Sequence, residues 1–223
     1  MEKVEELYDK KVQCPVCNQE FITNKVRTSK LRLIKRDSDF LTYYEGENPI
    51  KYNVFVCQHC GYASMEDKFH NINSKEKKII LDKVSSKWNK RSFSGRRSIE
   101  KSIEAYKLSL YCGQLLNFEK YNLANICLRT AWLYRIKKDS NEEKRFLHFT
   151  LDLYREAYYN EYLTDSTMDE LTLTYLIGEI SRRLGKKEEA LNWFNNVLRN
   201  PEIKDNRVIE RMTREQWQLA KES

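Results

Sequence analysis

Cys14-Pro15-Val16-Cys17 and Cys57-Gln58-His59-Cys60 constrain this chain more than any other feature it carries. Two CxxC pairs separated by 39 residues supply the thiolates of a tetrahedral four-cysteine zinc site. Each pair predicts a tight knuckle, with Cys14, Cys17, Cys57 and Cys60 converging at about 2.3 Å from one ion. Pro15 stiffens the first knuckle, and Gly61 permits the left-handed turn that closes the second. A shell of four thiolates leaves no open position for water or substrate, so the zinc is expected to be structural rather than catalytic. Structural disulfides conflict with a start, Met1 to Glu6, that lacks an apolar export signal. A thioredoxin-like redox pair would need a helix start beside a parallel sheet, and no such pattern is present. His59 could replace a cysteine as ligand, but its position between the two favours a ring pointing outward, and both His59 and His70 read as surface residues.

Between the knuckles, Phe21-Ile22-Thr23, Val26-Arg27-Thr28, Leu31 and Leu33 (with Ile34 out of phase) and Asn53-Val54-Phe55-Val56 are β-branched or aromatic runs with partial alternation, as ribbon strands require. The gap exceeds that of a minimal ribbon, so residues 39–52 are expected to form an extra excursion. Residues 1–72 thus make a zinc-ribbon-like module, and the ion compensates for a core too thin to hold alone.

Helical periodicity takes over after Phe69. Asn73 or Ser74 caps a helix through Ile80, Val84 and Trp88, and a polar stretch from Lys90 to Arg97 follows, so 73–97 read as a linker helix and basic hinge. Residues 98–223 predict six helices. Ile99, Ile103, Tyr106 and Leu110 mark the first. The second, about 119–138, is apolar on more than one side and must be sandwiched. Capping boxes at Ser140 to Glu143 and Thr167 to Glu170 open the third and fourth, and Gly185 ends the fourth. Ala190, Phe194 and Val197 face one way on the fifth, and Val208 to Leu219 form the last. Residues 173–201 resemble a tetratricopeptide repeat through Ile177-Gly178, Gly185, Ala190, Phe194 and Pro201, although Thr174 and Ser181 stand where that motif prefers aromatics. One repeat cannot bury its own face, so its neighbours stack on it. The fold class is α+β: a small β-rich zinc ribbon, then an all-α array of tetratricopeptide-like hairpins expected to own a separate core. Cys112 and Cys127 read as core thiols.

A hydrophobic fraction of 40% argues against global disorder, and no apolar run reaches membrane-spanning length. A soluble, cytoplasmic protein is expected. The formal charge of +7 falls to +5 when four thiolates enclose a dication, a modest excess that decides little. Its distribution is more informative. Lys25, Arg27, Lys30, Arg32, Lys35 and Arg36 crowd the ribbon strands, Lys87, Lys90, Arg91, Arg96 and Arg97 crowd the hinge, and Tyr43, Tyr44 and Tyr52 could stack bases. The densest aromatic stretch, with Tyr158, Tyr159 and Tyr162, is a candidate partner groove.

The order of features resembles a bacterial domain-of-unknown-function family, number 2225. It rests on the CPVC near the start, Arg36-Asp37-Ser38-Asp39-Phe40, Tyr43-Tyr44, Asn48-Pro49, the second knuckle with Gly61-Tyr62-Ala63, and Leu128-Arg129-Thr130-Ala131-Trp132-Leu133-Tyr134-Arg135. The resemblance covers nearly the whole chain. It implies this architecture and the bacterial cytoplasm, and brings no activity with it.

No Gly-rich phosphate loop, HExxH or nucleophile motif is present. The expected function is therefore a non-enzymatic, zinc-stabilised adaptor that binds a protein or peptide through its helical array. Nucleic-acid binding through the basic ribbon and hinge is the alternative, and an enzyme of unrecognised class the third.

Overall fold

The computed structural model describes residues 5–161 and 168–222. Its N-terminal part is three antiparallel hairpins: β1 (Leu7–Gln13) with β2 (Glu20–Val26), β3 (Leu33–Arg36) with β4 (Thr42–Tyr44), and β5 (Val54–Val56) with β6 (Ala63–Met65). The outer two carry the knuckles at their tips, and the middle one is an inserted arm. Ile34, out of phase in the sequence, lies where the arm's register shifts between Leu33 and Lys35. The strand β1 precedes the first cysteine and was not legible. Its run Leu7-Tyr8-Asp9-Lys10-Lys11-Val12 is too polar to announce a strand, and only Val12 is buried.

Phe69 ties the two knuckle hairpins together. Its ring is fully buried and lies 5.8 Å from Phe21, 5.6 Å from Phe55 and 5.0 Å from Tyr62. Burying one such side chain stabilises by about 1.5–3 kcal/mol, so a short-stranded module concentrates its apolar contribution here.

Among the described residues seven α-helices follow: α1 (Ser74–Lys83), α2 (Ile99–Leu115), α3 (Lys120–Lys137), α4 (Ser140–Asn160), α5 (Glu170–Arg183), α6 (Lys187–Arg199) and α7 (Arg207–Glu222). Asn73 caps α1 in a full capping box with Glu76. Trp88 does not continue its stripe, because α1 ends at Lys83 and a 3-10 turn re-aims the chain. The cap of α4 is Asp139, one residue before the expected Ser140; its carboxylate accepts from Glu142 N–H. Asp169 caps α5 through Thr172 N–H, while Thr167 of the expected box lies outside the described residues.

The helices pair as hairpins. Lys138, at φ 64°, turns α3 into α4, and Gly185, at φ 75°, turns α5 into α6. Gly178 lets α5 approach α6, since a Cβ there would meet the Phe194 ring at 2.8 Å. Thr174 folds its hydroxyl back onto Glu170 C=O at 2.7 Å, and its neighbour Tyr175 is fully buried.

One expectation fails here. The helices do not own a separate core: buried apolar side chains run continuously from Val12 and Cys14 through α2 to Ala220. The helix α2 lies under β5 and β6 and belongs to both halves, with Tyr106 donating to Ile50 C=O at 2.9 Å. Composition could not reveal this, because a seam between modules and a core within one use the same residues.

Candidate metal centre

The two hairpin tips are built alike. In the first, Asn18 N–H donates to Cys14 C=O at 2.9 Å and Cys14 N–H to Gln19 C=O at 3.0 Å; in the second, Gly61 N–H donates to Cys57 C=O at 2.9 Å and Cys57 N–H to Tyr62 C=O at 2.8 Å. Both require a left-handed residue after the second cysteine, which is Asn18 at φ 58° and Gly61 at φ 77°. Asparagine tolerates this region better than other side chains, and its place one residue after Cys17 was the signal available for it. Gly61 has a second reason to lack a side chain, because a Cβ would meet the Trp88 ring at 2.5 Å. Trp88 is held there by donating to Gln58 C=O at 2.9 Å, with the Arg91 guanidinium 4.0 Å above its ring. Ser85 donates to Cys60 C=O at 2.9 Å.

This scaffolding brings the four sulfurs together. Cys14 and Cys60 lie 3.6 Å apart, as do Cys17 and Cys57, and all four sulfurs fall within 4.8 Å of one another. A tetrahedron with about 2.3 Å metal–sulfur bonds has edges of about 3.8 Å, so the set fits one thiophilic ion. Cys14, Cys57 and Cys60 are buried and Cys17 is half-buried. Left to themselves, hydrogen bonding to Cys57 pushes the Cys14 thiol up to about 12 and hydrogen bonding to Cys14 pushes Cys60 further still, while Cys57, which receives both, is drawn down to about 2. Four adjacent sulfurs cannot all ionise without a cation among them. His59 is not in the shell: its exposed ring lies 3.2 Å from Glu20 C=O. Cys112 and Cys127 are separately buried, and desolvation raises them to about 11 and about 12.

A second constellation joins the inserted arm to the helices. The loop after β3 places Asp37, Ser38, Asp39 and Phe40 against α3 and α5. Arg135 grips Asp39 with both terminal nitrogens, at 2.9 and 2.6 Å, and also reaches Asp37 at 3.0 Å and Glu143 at 2.7 Å. Trp132 Nε1 donates to Asp39 at 3.0 Å. Ser38 donates to Glu179 at 2.6 Å and accepts from Arg183 at 3.0 Å, and Tyr175 donates to Ser38 C=O at 2.7 Å. Asp39 and Glu179 are fully buried, each answered by arginine. Both sequence motifs, 36–40 and 128–135, are thereby partly explained, but nothing in either predicted that they meet across 96 residues.

The hinge cluster disperses. Arg97 is not a surface cation: it is 2% exposed and donates to the carbonyls of Phe93, Lys51 and Val54 and to Thr23 Oγ1. Arg91 pairs with Glu104 at 2.7 Å, and Arg96, though exposed, with Glu47 at 2.8 Å; Lys87 and Lys90 are exposed. Tyr52, 1% exposed, donates to Glu47 and cannot stack a base; Tyr43 and Tyr44 are half-buried. On the arm, Arg27, Lys30, Arg32, Lys35 and Arg36 remain exposed. Of the proposed groove, Tyr158 meets Trp193 edge-to-face at 5.1 Å and Tyr159 meets it tilted at 6.2 Å, and Tyr162 lies outside the described residues.

A family model described as "Uncharacterized protein conserved in bacteria (DUF2225)" matches residues 7–220. A protein of Borreliella burgdorferi (strain ATCC 35210 / DSM 4680 / CIP 102532 / B31) named "Uncharacterized protein" is 24% identical over 177 residues, 71% of this chain. The chain spans 63% of that relative's length. No solved structure matches.

Proposed function

We propose, for a chain that belongs to the DUF2225 family of bacterial proteins, a non-enzymatic adaptor held together by one structural zinc and binding a protein or peptide partner. The metal reading rests on four thiolate donors in tetrahedral reach. Such a set suits zinc or iron, and a redox-silent ion matches a shell with no open position. Thiolates must stay reduced to hold it, which favours the bacterial cytoplasm. Elemental analysis of freshly purified protein is expected to give one zinc per chain, and Cys57→Ser to abolish it and unfold the knuckle hairpins. A full complement of iron, or no stoichiometric metal, would reject zinc.

The observation that carries the adaptor reading is the seat of residues 37–40. The α3–α5 face of the array holds an acidic turn, closed by Phe40 N–H donating to Asp37 C=O at 2.9 Å, by charge-assisted hydrogen bonds from Arg135 and Arg183 and by Tyr175. A surface that does this for its own chain has the chemistry of a peptide-binding array. That seat is filled, so a partner must engage what stays open: Tyr159 beside Trp193, 70% exposed, and the arm, where Leu33 and Ile34 are 59% and 66% exposed on an open-edged strand pair. A photo-crosslinker replacing Tyr159 or Leu33 in the native bacterium is expected to trap one discrete partner, and a crosslinker at exposed Lys144 is not. Identical, diffuse adducts from all three positions would refute the reading.

The arm also favours a specific second reading. Its five exposed cations stand where a polyanion could meet them, so nucleic acid is the alternative, relocated from the hinge. Retention on single-stranded DNA that falls steeply with salt, and is lost on replacing Arg27, Lys30, Arg32, Lys35 and Arg36 with serine, would select it over the adaptor.

A further inference from the structure

Arg129 is the charged residue of the 128–135 motif that neither the metal nor the arm uses. Every other arginine that the fold covers has a partner. Arg91, Arg135, Arg155, Arg182 and Arg183 each hold a carboxylate, and Arg97 holds three carbonyls and a hydroxyl. Arg129 is half-buried on α3, and among the described residues it makes no hydrogen bond or ion pair. The groups that feel its charge are the buried, neutral phenols of Tyr106 and Tyr154. Withdrawing a guanidinium partly from water without an acceptor is unfavourable, and a fold keeps such an arrangement readily where something else supplies the acceptor.

The space beside it is a cleft of about 370 Å³ between the turn after β6 and the N-terminal half of α3, within the size range of small-molecule sites. Its polar groups are under-used. The Tyr121 hydroxyl, in a residue 5% exposed, has no hydrogen-bond partner. Ser64, fully buried, feels the Tyr62 phenol but makes no hydrogen bond of normal geometry. Asn125 lines the cleft and accepts from the Tyr154 hydroxyl on its carbonyl at 2.7 Å. Lys68, half-buried on the opposite wall, has no ion pair among the described residues. Of the two carboxylates, Glu66 is already neutralised by Lys10 and Lys25, and Asp67 is exposed. Met65, Phe118, Tyr121 and Ile126 supply apolar wall.

We propose that this cleft at the ribbon–helix seam binds a small organic anion, its head group held by Arg129 with Lys68 and its apolar or planar body against Phe118, Tyr121 and Ile126. A bare inorganic ion would leave those walls facing water, and a neutral ligand would leave the guanidinium unanswered. The head group is a carboxylate or a phosphate ester, since both accept two hydrogen bonds from one guanidinium. The inference is independent of the identity of the metal and of the adaptor's partner.

The test uses the full metal-loaded protein and three probes with the same ring: phenyl phosphate, benzoate and benzyl alcohol. NMR follows the Met65 methyl and the Arg129 Nε–H signals during titration. At least one anion is expected to shift both signals saturably at millimolar concentrations or below, with benzyl alcohol about tenfold weaker or worse. The preferred anion identifies the head group. Arg129→Gln is expected to cost about tenfold or more in affinity for that anion, and Arg129→Lys less. Should Arg129→Gln fail to fold by circular dichroism, Lys68→Gln on the more open wall serves, with a several-fold loss expected. Equal binding of alcohol and anions, unchanged affinity in a folded variant, or no saturable binding by any probe overturns the proposal. Zinc content measured on the same samples separates a failed cleft from a lost metal.

Discussion

At the residue scale, Gly61 and Arg97 show how differently two positions of a metal-nucleated module can be read. Gly61 was legible, because a left-handed turn closing a CxxC knuckle calls for glycine. The Trp88 ring, 2.5 Å from where its Cβ would stand, was not, because Trp88 is brought over it by a turn the periodicity had assigned to helix. Gly61→Ala is expected to lower stability by about 2 kcal/mol or more, from backbone strain and displaced indole together; a urea titration with zinc held constant measures it. Arg97 was misread outright. A basic residue in a Ser-Gly-Arg-Arg run looks solvated, and nothing in one sequence says that three main-chain carbonyls are waiting for it. Its guanidinium has no carboxylate, and burial depresses its pKa to about 10. Arg97→Ser would leave those acceptors unmet at about 1–3 kcal/mol each. The protein is expected to unfold or melt far lower, and Arg91→Ser to change little by the same thermal scan.

At the element scale, the arm is the part the sequence concealed most. Its strands were foreshadowed by Leu31 to Ile34, and the excursion over 39–52 was anticipated, but its docking was not. Alternation and composition report which side of a strand is apolar, not which helix 96 residues away will meet its loop. The ion pairs that hold it make a pH prediction. Burial pushes the Asp37 carboxyl up, yet hydrogen bonds from Arg135, Lys35 and Tyr43 outweigh burial and hold it below its usual value of 3.8. Lys25 and Lys10 do the same for Glu66, against burial, below 4.5. A carboxylate with a depressed folded pKa contributes its stability fully above the unfolded value and loses it as pH falls through the folded one. Stability is therefore expected to be insensitive to these groups above about pH 5 and to fall below about pH 4. Hydrogen exchange at the arm and β1–β2 amides checks this; an arm unprotected already at neutral pH would contradict it.

At the scale of the whole molecule, helix ends marked by a cap or a glycine stop were read to within a residue or two, because these are local chemistry; the unmarked end of α1, expected at Trp88 and found at Lys83, was not. The unity of the core was not read, because contacts between distant segments leave no local mark. Chelation is expected to unprotect the knuckle hairpins and α2 together, since α2 packs beneath β5 and β6, and to spare α5–α7; exchange followed by mass spectrometry distinguishes this from a ribbon that melts alone. The seat of the arm carries one more consequence. Asp39 is answered by Arg183 as well as Arg135, with Ser38 bound to Glu179. A ribosome adding about 5–20 residues per second would therefore leave the loop exposed for about 7–30 s before its last counter-charge is made. A nascent chain must bide that interval with the carboxylates of Asp37 and Asp39 and the ring of Phe40, which packs against Tyr175 in the finished fold, open to its surroundings, which makes its own synthesis the moment when chaperones have most to protect.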